Sequence, residues 1–470
     1  MSAPFDPNRT QIGGPQAYDP NRTVLGTPQG DPNRTVLGAP PMAGDPNRTA
    51  AWSPVAPLSF TLTPSRAATM ANGPAREQFL LEINAPRDPG LPGMSTSGAR
   101  APLNLCLVLD RSGSMEGAPI EYAKQACAQI VDLLSPNDVL SIVVFDEIVE
   151  VLMPPQRVTD KGMVKQGLNQ ITPGYTTNLY DGLTLGAQQL GMTESTGRVT
   201  RMIVLSDGDP TAGIKDFSSL VSHAGDIKQR GIGVTFLGFG PDYNEELLAS
   251  MAKKAAGSYH YIAQPHQIPE VFRDEFTKLV STAGTNLKLE FKTARWVELM
   301  SCTGLNGPLN GTDFTVDLAD VEQGSTIQVL LDMEFRNHPL GWYRVASGKI
   351  HFDPIGAPRQ TVEVDFVMEF TAEAARYGAP ADPRVTAVAQ VATASRAVEK
   401  TMLGLKTQAI TAAVALQELQ KTQALLLQDG RVTEAREVTM AMQAIQSGDT
   451  GAANKTLMGT MVQLDQGKKS

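Results

Sequence analysis

Cysteine is scarce in this chain: three in 470 residues, at Cys106, Cys127 and Cys302. That is too few and too scattered for a disulfide framework or a zinc site. Cys106 falls in an apolar run and Cys127 in an amphipathic stretch, where a thiol serves as a small core residue. The five histidines, His223, His260, His266, His338 and His351, are equally dispersed and show no ligand spacing. No run of about 18 apolar residues occurs, which argues against a membrane-spanning helix. The start, Met-Ser-Ala-Pro-Phe-Asp-Pro, has neither the basic residues nor the apolar core of a secretory leader, so a cytoplasmic protein is expected. A net charge of −9 over this length argues against a nucleic-acid-binding surface. Phosphate-cradling glycine loops, nucleophile elbows and Cys–His pairs in a supporting context are also missing.

Hydrophobic residues make up 41% of the chain, enough for large cores, and the length predicts two or three domains. Residues 1–56 read as a disordered tail, because Pro and Gly are dense and large apolar residues few. The tail carries Asp-Pro-Asn-Arg-Thr four times, starting at Asp6, Asp19, Asp31 and Asp45. These units are too short and unevenly spaced for a solenoid. They read either as Asp-Pro turns in a linker or as a copied recognition motif.

Next, Leu58, Phe60 and Leu62 alternate with polar residues, as do Phe79, Leu81 and Ile83. The pattern predicts two half-buried strands within 57–85. Residues 102–280 alternate strand and helix, which predicts a doubly wound, mostly parallel α/β sheet. Strands are expected at 105–109, 139–145, 202–205, 233–237 and 259–262. Helices are expected after Pro119 and at 161–171, 179–190, 220–227, 245–252 and 268–279. After Gly284 the period becomes two, with runs on Leu287, Phe314, Ile327 and Val362. Residues 285–372 therefore read as antiparallel sheet, and a sandwich is expected. A hairpin alone is marginal, so the strands at 57–85 are expected to complete that sandwich, with the α/β domain inserted between them. Residues 382–466 carry helical periodicity, broken at Asp429-Gly430 and Ser447-Gly448. They read as a small helical bundle packed on the sandwich, with a helical-repeat docking surface as the other reading.

The chemistry gathers at 105–115, Leu-Cys-Leu-Val-Leu-Asp-Arg-Ser-Gly-Ser-Met. A buried strand ends at Asp110, and Ser112 and Ser114 follow at spacing two on a Gly-containing turn. The ends of such strands are where ligands of open α/β sheets bind. One carboxylate and two hydroxyls offer oxygen, which hard cations such as magnesium prefer.

Asp110-Arg-Ser-Gly-Ser-Met resembles the metal-ion-dependent adhesion site of the von Willebrand factor A family. Two further segments match that family in order. One is Gly-Tyr-Thr-Thr-Asn-Leu-Tyr-Asp-Gly-Leu from Gly174, with Thr177 in the matching place. The other is Ile-Val-Leu-Ser-Asp-Gly-Asp-Pro from Ile203, with Asp207 ending an apolar run. The resemblance spans about 102–280. It implies that Ser112, Ser114 and Thr177 are ligands to Mg2+ or Mn2+, and that Asp110 and Asp207 act directly or through water. It implies a protein partner whose Asp or Glu completes the coordination. Asp110 is expected to be a surface ligand whose removal costs no core volume. Asp181 and Asp209 are weaker candidates, a solvated helix residue and a loop carboxylate.

The leading reading is a non-catalytic, metal-dependent adaptor with no membrane span. A second is an accessory subunit of an ATPase machine, as some members of the family are. A third, metal-assisted hydrolysis by Asp110 and Asp207, needs a general base that the sequence does not offer. In the tail, Thr10, Thr23, Thr35 and Thr49 each follow an arginine. They are expected to be substrates of a Ser/Thr kinase and, once phosphorylated, ligands of a phosphothreonine-binding protein such as a forkhead-associated domain.

Overall fold

The structure is a computed structural model that describes residues 35–37, 58–86, 100–194, 197–240, 243–305 and 309–469. Its first strands are β1 (Thr35–Leu37), β2 (Ser59–Pro64), β3 (Ala68–Met70) and β4 (Ala75–Asn84). Thr35, Val36 and Leu37 belong to the tail at 1–56. Their backbone pairs with β2. Thr10, Thr23 and Thr49 lie outside the described residues.

The α/β segment then runs β5 (Leu103–Asp110), α1 (Ala118–Leu133), β6 (Val139–Phe145), β7 (Val149–Arg157), α2 (Lys161–Asn169), α3 (Leu179–Gly191) and β8 (Val199–Ser206). It continues through α4 (Phe217–Gln229), β9 (Gly233–Phe239), α5 (Glu245–Lys254), β10 (Ser258–Ile262) and α6 (Ile268–Val280). The sheet order is β10-β9-β8-β5-β6-β7. All pairs are parallel except β6 with β7. Every residue of β5, β6, β8 and β9 is buried, because helices cover both faces. The edge strand β7 was not legible in the sequence. It carries Pro154 and Pro155, which an edge position tolerates because one side of the ladder needs no donor.

Afterwards come β11 (Thr282–Thr293), β12 (Val297–Cys302), β13 (Asp313–Asp317), β14 (Val321–Glu322), β15 (Thr326–Phe335), β16 (Gly341–Pro354) and β17 (Gln360–Thr371). They form two sheets with the early strands. One has the order β1-β2-β4-β15-β12 and the other β13-β11-β16-β17-β3. β4 pairs with β15 over ten positions, from Thr326 opposite Asn84 to Phe335 opposite Ala75. Residues on either side of the α/β segment thus build one sheet. The two sheets close on a shared core, with Phe60 against Phe352 at 5.3 Å and Phe79 edge-on to Phe366 at 5.6 Å between ring centroids.

The last elements are α7 (Ala374–Tyr377), α8 (Pro383–Lys406), α9 (Ala412–Gln428), α10 (Val432–Gln446), α11 (Thr450–Asp465) and β18 (Lys468–Lys469), which pairs with β15. The start of α8 covers the outer face of the first sheet, where Val385 and Val388 meet Leu80 and Leu330. Val398, Leu419, Val438 and Leu457 make the bundle's own core. The bundle also touches the α/β segment: Val462 of α11 enters the core around Tyr259. The buried Lys455 donates to the Tyr243 carbonyl at 2.9 Å and to Glu245 at 3.2 Å. No helix among the described residues is long and apolar enough to cross a membrane.

Candidate metal centre

β5 and β8 are neighbouring parallel strands, so their carboxyl ends bring Asp110 and the Ser206-Asp207 pair to one sheet edge. The chain after Asp110 folds back at once: the Ser112 amide donates to Asp110 Oδ1 at 2.8 Å. A single 3-10 turn at Gly113–Met115 follows. This tight return aims both serine hydroxyls at the end of β8. Ser114 Oγ donates to Asp207 Oδ1 at 2.8 Å and Ser112 Oγ does so at 3.4 Å, while the two hydroxyls lie 3.2 Å apart.

Thr177 arrives from the loop before α3. Its amide donates to Thr211 Oγ1 at 2.9 Å, and its carbonyl accepts from the amides of Thr211 and Ala212 at 3.0 and 3.2 Å. A methyl group built on Gly208 would sit 3.4 Å from Thr177 Oγ1 and 3.9 Å from Ser114 Oγ. Gly208 follows Asp207, so the Thr177 hydroxyl borders the same cluster. The structure therefore brings together Asp110, Ser112, Ser114, Thr177 and Asp207.

Asp110 and Asp207 are both buried. Burial pushes the Asp110 carboxyl up to about 7; hydrogen bonds from Ser112 and Ser206 pull it down and the nearby Asp207 charge adds to the rise. Two like charges held this close repel one another, a strain that a divalent cation would relieve. The donors are all oxygen, which suits magnesium or manganese better than a soft metal. Carboxylates and hydroxyls alone make up the set, so the residues fit such an ion.

One expectation is corrected. Asp110 is not a surface ligand: its exposure is 0%, and it accepts from the Ser112 amide and, at 2.6 Å, from Ser206 Oγ. Replacing it by Ala would strand both donors. Ser114 is the exposed member of the cluster, so Ser114→Ala is the gentler probe. Asp181 is exposed and accepts from Asn178 Nδ2 at 2.8 Å, and Asp209 is exposed.

Four positioning residues went unread in the sequence: Ser206, Thr211, Arg111 and Asp146. Arg111 Nε lies 3.0 Å from Asp146 Oδ2, and its Nη1 lies 3.1 Å from Glu150. The pair ties the loop after β5 to the turn after β6. The Gly174 amide donates to the Arg111 carbonyl at 2.6 Å, which brings the Thr177 loop onto the same scaffold. Arg111, Asp146 and Ser206 directly follow or end an apolar strand, the one signal available for them, and Thr211, five residues past β8, had none.

Beside the turn after β5, Tyr175 is 84% exposed and Ile148 about half exposed, and the chain after β8 exposes Ile214 and, at the start of α4, Phe217, each by about half.

The family described as von Willebrand factor type A domain matches residues 104–274. An uncharacterised protein of Synechocystis sp. is 34% identical over 196 residues, 42% of this chain and 46% of that protein. The uncharacterised protein YfbK of Escherichia coli is 27% identical over 239 residues, 49% of this chain and 41% of that one. Inter-alpha-trypsin inhibitor heavy chain H1 of Sus scrofa is 24% identical over 196 residues, 40% of this chain and 22% of that one. The chain spans less than half the length of each. Among solved structures, a von Willebrand factor type A protein from Catenulispora acidiphila aligns with a TM-score of 0.64 at 14% identity, covering 83% of this chain and 90% of that one. The ArnB paralog VWA2 from Sulfolobus acidocaldarius gives 0.60 at 19%, covering 86% and 98%. At those identities the likeness is one of fold, and it reaches well beyond the matched segment.

Proposed function

We propose that the chain, whose residues 104–274 match the von Willebrand factor type A domain, is a cytoplasmic, metal-dependent protein-binding adaptor. Asp110, Ser112, Ser114, Thr177 and Asp207 would hold Mg2+ or Mn2+, and a partner's Asp or Glu would complete the coordination. The observation that carries this reading is the convergence of two buried carboxylates and two serine hydroxyls within hydrogen-bond reach at one sheet edge.

When bound, the cation supplies positive charge that two carboxylates and neutral hydroxyls leave only partly satisfied, so an outside carboxylate is attracted. The chain's own residues hold and orient. Ser206 and the Ser112 amide fix Asp110. Ser112 and Ser114 fix Asp207. Thr211 fixes the Thr177 loop. The apolar rim of Ile148, Tyr175, Ile214 and Phe217 would select which partner can bring its carboxylate in. In this reading the site binds and does not catalyse. A phosphatase or nucleotidase assay should show no turnover; turnover that Asp207→Asn removes would overturn that part.

The same reading gives the tail a second role. Thr10, Thr23, Thr35 and Thr49 would be phosphorylated by a Ser/Thr kinase and recruit a phosphothreonine-binding protein, such as one with a forkhead-associated domain. Four copies on one tether would raise the effective concentration of a weak contact. Stepwise phosphate additions in the intact mass, lost when the four threonines become alanine, are the expected result.

For the metal-linked role, the test is capture of partners by the intact chain. A partner retained with magnesium should be released by chelator, and Ser114→Ala should weaken its binding about tenfold or more, since even an outer-shell partner of a metal ligand is worth about 10–100-fold in metal affinity. Retention unchanged by both would refute the adaptor reading.

A further inference from the structure

β2 is an edge strand of the sandwich except for three residues of the tail. On one side it pairs with β4. On the other, Thr35 lies opposite Leu62, Val36 opposite Thr61 and Leu37 opposite Phe60, antiparallel. Residues 38–58 separate the two strands. A connection that long does not impose pairing as a two-residue hairpin turn does. The three residues are therefore held by the edge itself.

The paired segment is part of a copied unit. Asp-Pro-Asn-Arg-Thr-Val-Leu-Gly occurs at 31–38 and again, identical in all eight positions, at 19–26. Whatever the edge of β2 recognises in one copy it finds in the other.

A cavity of about 430 Å³ opens where β2 ends, lined by Thr63, Pro64, Ser65, Arg66, Arg376 and Asp382 among others. Thr63 is buried, and its hydroxyl has no hydrogen-bond partner. In the antiparallel register Thr35 lies opposite Leu62, and β2 continues from there through Thr63 and Pro64 to this cavity. Hydroxyl, guanidinium and carboxylate groups line it, a chemistry that suits the polar half of the repeat, Asp-Pro-Asn-Arg.

We propose that the edge of β2 and the adjoining cavity are a seat for one Asp-Pro-Asn-Arg-Thr-Val-Leu-Gly repeat of this chain's own tail, and that the copies at 19–26 and 31–38 exchange on it. Added strands bind through main-chain hydrogen bonds. A three-residue ladder is weak alone, but a short tether supplies millimolar effective concentration. The seat also shields an edge that would otherwise template aggregation. One copy is seated at a time, and the others stay available to a partner. The inference rests on β2 and the repeats, and is independent of the metal centre.

Hydrogen exchange on the intact chain tests it, read on the segment 58–64. Proline fixes φ and removes the ladder donor, so it disables a copy without touching the sandwich. Val36→Pro alone should leave the protection of β2 nearly unchanged, because the copy at 19–26 takes the seat. Val24→Pro with Val36→Pro should raise exchange of the tail-facing β2 amides about tenfold or more, with the β4–β15 ladder unchanged as the internal control. Adding the synthetic octapeptide should restore protection, and a scrambled peptide should not. Unchanged exchange in the double variant overturns the seat. So does equal rescue by the scrambled peptide, or residual protection that grows with protein concentration, the sign of a second copy on the edge. Full loss in Val36→Pro alone overturns the exchange of copies.

Discussion

Asp320→Ala is expected to destabilise the folded chain by about 3–5 kcal/mol, the cost of leaving a buried charge without its partner. Asp320 lies between β13 and β14 of the sandwich, yet its partners belong to the α/β domain. Arg201 of β8 donates to its Oδ2, and Lys228 of α4 lies 3.8 Å from Oδ1. The side chains of all three are less than a tenth exposed. The Asn286 amide adds a third contact at 3.3 Å. Removing the carboxylate would strand two cations in the joint between domains. Unfolding in urea at pH 7 measures the loss. Replacing Arg201, Lys228 and Asp320 together by apolar residues of similar volume should recover most of it, since the penalty lies in the unpaired charges.

The same carboxylate gives a pH dependence of known sign. Burial alone would raise Asp320, but Arg201 first, then Lys228 and Lys468, outweigh it and hold it below its ordinary value. A group depressed in the folded state contributes stability that is full above its unfolded value, about 4. That stability is lost as pH falls through the folded value. The wild-type chain should therefore lose stability more steeply below pH 4 than Asp320→Ala, which has nothing left to lose there. Parallel acid profiles would remove Asp320 from the account.

Gly174→Ala should disable the metal centre from a position that supplies no ligand. A Cβ there would fall 1.7 Å from Asp146 Oδ2, 2.5 Å from its Cγ and 2.8 Å from its Cβ. The overlap reaches the root of the side chain, so a rotamer change cannot relieve it. Asp146 is buried, pinned by Arg111 and by the Ile148 amide at 2.7 Å. The loop carrying Thr177 must move instead. Overpacking of this kind costs about 1–3 kcal/mol, and the displaced Thr177 should weaken metal affinity about tenfold or more. Gly113→Ala is the contrast. Its Cβ meets only the Gly174 and Tyr175 carbonyls at 3.5 and 3.7 Å, ordinary contacts. That variant should bind metal as wild type does. Equal affinity in both variants would show that the loop does not position Thr177.

The parts legible in the sequence were those whose signal is local. Continuous apolar runs announced β5, β6, β8 and β9 because both faces of that sheet are covered. Alternation announced β4, β15 and β17. β16 escaped because its register shifts between Arg344 and Ala346, so Val345 and Ala346 are both buried and the period of two is lost. β12 shifts likewise between Leu299 and Ser301. At the candidate metal centre Asp110 and Asp207 could be read as ending apolar runs, and the rest of the donor set from the resemblance of three segments to the von Willebrand factor A family. Their supports could not. Ser206, Thr211 and the Arg111–Asp146 pair act across the sheet edge, on partners distant in sequence. The burial of Asp110 was missed for the same reason: besides the Ser112 amide, it comes from Phe145 of β6 and Ser206 of β8, distant in sequence.

Titration of the intact chain with Mn2+, alone and with saturating acetate, tests the metal-dependent reading most directly. One saturable site per chain is expected, tightened when acetate supplies the outside carboxylate. Ser114→Ala should weaken it and Asp207→Asn should abolish it, with the fold retained. No saturable site, or a site indifferent to acetate and to both substitutions, would contradict the assignment of Asp110, Ser112, Ser114, Thr177 and Asp207 as a carboxylate-capturing metal centre.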